Sequence, residues 1–151
     1  MTEIKELHRE FAIQCFNGVW EFLDKKGRTQ NDDTQMIHMA DASRYHWGQI
    51  GTPLEFARGD WQLSRVYAIL GIGAMANKYA ENCLDLCEKH DFGDFDLAFA
   101  FEALVRASAV AGDIAKGKEY LSQAKSAAAE IKKTDDQEYF HRELKSVLEM
   151  L

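Results

Sequence analysis

Proline is almost missing from this sequence, occurring only at Pro53, and runs of alternating β-branched residues are missing too. Their scarcity argues against strands and hairpins. No apolar run reaches the ~20 residues a membrane-spanning helix requires. Basic residues are outnumbered, with 18 Lys and Arg against 25 Asp and Glu and a formal charge of −7. That deficit argues against nucleic acid as a partner, because phosphate binding depends on clustered cations that displace counterions. The opening segment MTEIKELHREFAIQCF has no basic region followed by an apolar stretch, so neither a signal peptide nor an anchor is expected. Three cysteines are an odd number and fit free thiols in a reducing compartment better than a disulfide framework. A cytoplasmic protein is expected. Its 151 residues, 46% of them apolar, suffice for one core, so the working division is a single domain over 1–151.

What is abundant is helical patterning. Apolar residues recur at three- and four-residue spacing almost throughout, and the punctuation divides them into seven helices. The first covers about 4–26, with a stripe of Ile4, Leu7, Phe11, Cys15, Gly18 and Phe22, and ends at Gly27. The second starts at Asp32 or Asp33 as caps, carries Met36, Ala40, Ser43, Trp47 and Ile50 toward the core, and ends at Gly51. Thr52-Pro53-Leu54-Glu55 restarts the chain. Thr caps, Pro fits the first helical position, and Glu completes a capping box. Gly71-Ile72-Gly73 turns into a fourth helix that ends near Lys89 or His90, and Asp94 is the expected cap of a fifth over 95–111. Gly112-Asp113 stops that helix and caps a sixth reaching Lys133. Thr134-Asp-Asp-Gln137 reads as another capping box before a final helix.

Glycines 27, 71 and 112 lie 44 and 41 residues apart, which suggests three helix pairs and a closing helix. The segment Leu63-Ser64-x-x-Tyr67-x-x-x-Gly71-x-x-x-x-Ala76-x-x-x-Ala80-x-x-Cys83-Leu84 resembles the tetratricopeptide pattern of small and aromatic residues across a helical hairpin. Leu104-x-x-x-Ser108-x-x-x-Gly112-x-x-x-x-Gly117-x-x-x-Leu121-x-x-Ala124 repeats the spacing with weaker residues. The likeness covers about 57–131. The period exceeds the usual ~34 residues, the proline that commonly ends the second helix is absent, and 4–50 match poorly. The resemblance implies an all-α, right-handed superhelix of three antiparallel pairs plus a C-terminal capping helix, with the first helix of each pair lining a concave face.

Counting back from the glycines places Arg58, Trp61 and Arg65 on that face from helix three and Phe99, Glu102 and Arg106 from helix five. Helix one adds Gln14, Asn17, Glu21 and Asp24. Arginines beside a tryptophan in an acidic protein suit a carboxylate or phosphate group on a protein or peptide partner. The competing reading is an ordinary surface, with Arg65 laid over Trp61 and Arg106 paired with Glu102. His46, within Ser43-Arg44-Tyr45-His46-Trp47, is either a hydrogen-bonded half-buried histidine or an addition to the groove.

Cys83, Cys87 and His90 share a helix face and could ligate zinc or copper, but Cys83 fills a packing position and no fourth ligand is evident, so no metal is expected. Gly112-x-x-x-x-Gly117-Lys118-Glu119 falls one residue short of a phosphate loop, places Glu where Ser or Thr is needed, and follows no strand. Asp91, Asp94 and Asp96 lack the glycine and terminal glutamate of a calcium loop. No cofactor is expected. The favoured function is a non-catalytic protein- or peptide-binding module. The alternative is a binder of, or enzyme acting on, a small anionic metabolite, using His46 and the arginines. A homodimer formed through Trp20 and the aromatic face of helix one is a third reading.

Overall fold

The computed structural model describes residues 2–151. They form seven helices: α1 (Thr2–Asp24), α2 (Gln30–Ile50), α3 (Pro53–Ile69), α4 (Gly73–Lys89), α5 (Asp94–Ala111), α6 (Ile114–Ala128) and α7 (Thr134–Leu148). Among the described residues there is no strand, and no helix is long and apolar enough to cross a membrane. Consecutive helices pack as pairs, α1 with α2, α3 with α4 and α5 with α6. The odd-numbered helices also touch in sequence, α1 on α3, α3 on α5 and α5 on α7, forming one layer.

Small residues bring the pairs together. Ser43 Oγ donates to the Ala12 carbonyl at 2.8 Å, and Ser64 Oγ donates to the Ala76 carbonyl at the same distance. These bonds satisfy buried hydroxyls and hold two backbones close. The same close approach explains a departure on α1. Ala12 and Val19 are its fully buried residues, while Ile4, Leu7 and Phe11, expected in the core stripe, are 54%, 48% and 45% exposed. Bulky side chains at the α1–α2 seam would hold the backbones apart, so the small residues take it.

The turns follow local chemistry. Gly71 and Gly112 end α3 and α5 with φ of 77° and 83°, a left-handed conformation that favours glycine. After each, the next amide reaches back to the helix, Ile72 N to Tyr67 O at 2.9 Å and Asp113 N to Ser108 O at 2.9 Å. The Thr52 amide donates to Glu55 Oε2 at 3.1 Å, and Asp113 accepts from the Lys116 amide, as their sequence patterns imply.

Four helix ends differ from expectation. Thr29, rather than Asp32 or Asp33, caps α2, because Asp32 serves as its reciprocal partner and Asp33 pairs with Arg28 at 2.9 Å. Asp94 is the first residue of α5 rather than its cap, and its carboxylate accepts instead from the Lys132 amide. Helix α6 stops at Ala128, since buried Ile131 draws the chain into the core. Thr134 then opens α7 without a capping box, and the Gln137 amide group donates to the Ile131 carbonyl at 3.0 Å.

The largest core cluster joins Trp61, Cys83, Cys87, Phe99, Leu104, Phe140, Leu144 and Val147, so α3, α4, α5 and α7 share one interior. A smaller cluster of Val19, Met36, Ala40, Leu63 and Val66 fills the space between the first two pairs.

Candidate functional site

The layer of odd-numbered helices carries the site. Trp61 on α3 is buried in an aromatic stack, with ring centroids 5.4 Å from Trp20 on α1 and 5.4 Å from Phe99 on α5. Tyr139 on α7 continues it, 5.3 Å from Phe99. Aromatic spacings in this range are favourable beyond their burial.

Beside the stack lies a network of four charges from three helices. Arg106 donates to Glu102 Oε1 from Nε at 3.1 Å and from Nη2 at 2.7 Å, and the same Nη2 reaches the Glu143 carbonyl at 3.1 Å and Ser146 Oγ at 3.0 Å. Arg65 donates to Glu143 Oε2 at 2.5 Å. Burial opposes the charge on Arg65, but the carboxylates of Glu102 and Glu143 outweigh it and hold its pKa above the ordinary arginine value. The Tyr139 phenol is pushed up by burial first and then by Glu143. Among the described residues, three buried side-chain polar atoms have no hydrogen-bond partner: Trp61 Nε1, Arg65 Nη1 and Glu102 Oε2. Such atoms are uncommon in a folded interior, and all three belong to this cluster.

Two hollows open on either side of the Arg65–Glu143 bridge. One, of about 300 Å³, is lined by Arg65, Ala68, Ile69, Arg106, Val110 and Met150. The other, of about 360 Å³, is lined by Trp20, Leu23, Asp24, Tyr139 and Glu143 and shares Arg65 and Ile69 with the first.

Of the residues singled out from the sequence, the structure brings Trp61, Arg65, Glu102 and Arg106 together and places Asp24 at the edge of the same face. Arg58 and His46 stand apart. Arg58 forms a two-point bridge to Asp96, at 3.0 and 3.2 Å, and lines a smaller hollow with Ile13, Phe16 and Trp47. His46 faces α1, where its Nδ1 lies 2.8 Å from His8 Nδ1 and its ring packs on Phe11. Cys83 and Cys87 are core residues, and His90 stacks on Phe92. Trp20, which the third sequence reading placed in a self-association surface, packs on Trp61 and is partly exposed at the second hollow.

The contribution of α7 escaped the sequence reading. Tyr139, Glu143 and Ser146 are spaced by four and three residues, which places them on one helical face beside the core stripe Phe140, Leu144 and Val147. That spacing was the available signal, obscured by the expectation that the last helix serves only as a cap.

No protein-family model matches this chain, and no curated protein matches it.

Proposed function

We propose that this chain is a non-catalytic, tetratricopeptide-like binding module, a right-handed superhelix whose odd-numbered helices hold a peptide segment of a protein partner. The observation that carries the reading is the pair of adjoining hollows that share Arg65 and Ile69 and are lined from α1, α3, α5 and α7. Two hollows in a row suit successive side chains of one segment. The first hollow is lined mostly by apolar side chains and the second by a mixture of aromatic, aliphatic and charged ones, so apolar walls and a few placed polar groups occur together as in a recognition site. Its arginines and glutamates neutralise one another, which fits binding better than acid–base chemistry, where an unpaired group poised near neutrality is needed. The separation of His46 from the arginines weighs the same way.

Selection from a random dodecapeptide display library, followed by amide chemical-shift mapping of an enriched peptide, tests this. Shifts should concentrate on α1, α3, α5 and α7. Absence of any enriched peptide, or a footprint on the exposed Ile4, Leu7 and Phe11 side of α1, would overturn the proposal.

A further inference from the structure

Building on the binding role proposed above, we infer that the hollow between α1, α3 and α7 receives a positively charged side chain, lysine or arginine, of the bound segment. The three arginines that suggested an anionic ligand are already occupied: Arg58 by Asp96, Arg65 by Glu143 and Arg106 by Glu102. Among the residues that line the hollow, the carboxylates of Asp24 and Glu143 outnumber the guanidinium group of Arg65, so the charge of the lining is negative. Asp24 is exposed at the hollow and forms no ion pair among the described residues. Burial raises the Tyr139 pKa first, Glu143 raises it further and Arg65 opposes this, with smaller upward contributions from Glu102 and Asp24, so carboxylates from α7, α5 and α1 act on one group.

The walls suit the same ligand. Trp20 presents an aromatic ring, to which ammonium and guanidinium groups are attracted, and Leu23 and Ile69 accommodate an alkyl stem, while the Tyr139 ring already carries the Arg142 guanidinium 5.8 Å from its centroid. The overall charge of −7 draws basic segments toward the protein from a distance. The position of Asp24 points in the same direction. It is the last residue of α1, the end where the helix dipole disfavours a carboxylate. Its own helix therefore gains nothing from its charge, whereas a bound cation would.

The test uses the full chain and the same dodecapeptide library, selected in parallel against wild type, Asp24→Asn and Asp24→Arg. Lysine or arginine should be enriched at one peptide position on wild type, and that preference should vanish with Asp24→Asn and turn toward glutamate or aspartate with Asp24→Arg. A synthetic enriched peptide should bind Asp24→Asn roughly five- to tenfold more weakly by fluorescence anisotropy, while thermal melting of that variant is unchanged or slightly higher. Enriched peptides that map to the groove but show no basic preference, or an acidic one, would overturn the charge assignment and leave groove binding standing. Peptides that map elsewhere, or no enrichment at all, would overturn both.

Discussion

Replacing Arg106 with methionine gives the sharpest test of how the site is held together. Glu102 is fully buried, and both of its hydrogen bonds come from Arg106. Arg106→Met therefore leaves a carboxylate in the interior with no hydrogen-bond donor and only the more distant charge of Arg65 to balance it, and also cuts the links from α5 to Glu143 and Ser146 on α7. Breaking a buried pair from one side costs about 3–5 kcal/mol, a large share of the roughly 5–15 kcal/mol that stabilises a typical domain. At about 2–4 °C per kcal/mol for a chain of this size, the melting temperature should fall by roughly 6–20 °C. Urea unfolding followed by circular dichroism gives the free energy directly, provided the slope stays constant. The double variant Glu102→Gln/Arg106→Met removes both charges and should lie within about 1–2 kcal/mol of wild type. The reasoning fails if Arg106→Met costs less than about 0.5 kcal/mol, or if the double variant is as unstable as the single one.

Two further outcomes follow from the packing and the titrating groups. A methyl group added at Gly73 would stand 2.7 Å from both Cα and Cβ of Ala111, where the start of α4 meets the end of α5. Gly73→Ala should therefore lose about 1–3 kcal/mol in the same urea assay, and an unchanged midpoint would show that the two helix ends separate freely. The pKa of His46 lies below its ordinary value because burial, and then the charge of His8, disfavour its protonated form. The unfolded chain takes up that proton near pH 6.5, so the contribution of His46 to stability is complete above that pH and is lost as the pH falls below it. Melting temperatures measured from pH 8 to pH 5 should decline at the acid end, and His46→Gln should flatten part of the decline. Identical profiles for both proteins would refute this account.

Much of the architecture could be read from residue pattern alone, because its causes are local. The positive φ at Gly71 and Gly112, the Thr52–Glu55 cap around Pro53 and the Asp113 cap depend on neighbours within a few residues, so short-range chemistry was enough to place them. The grouping of Trp61 with Arg65, and of Glu102 with Arg106, was equally accessible through helical spacing. Where two nearby groups competed for one role, tertiary contacts chose between them. Asp33 was drawn to Arg28, Asp94 to the Lys132 amide, and Ile131 pulled the end of α6 into the core.

Amino-acid order by itself determined the seven-helix plan, the positions of most turns and the membership of half the site, all set by interactions within one helix or one turn. Only the tertiary structure decided which face of α1 is buried, that α7 supplies Tyr139, Glu143 and Ser146 to the site, and that Arg65 and Arg106 are paired within it while Arg58 is paired outside it. Arg58 meets Asp96 across 38 positions and Arg65 meets Glu143 across 78. Periodicity within a helix carries no record of which distant carboxylate will face a given guanidinium, so the charge left over in the groove emerges only once the helices have packed.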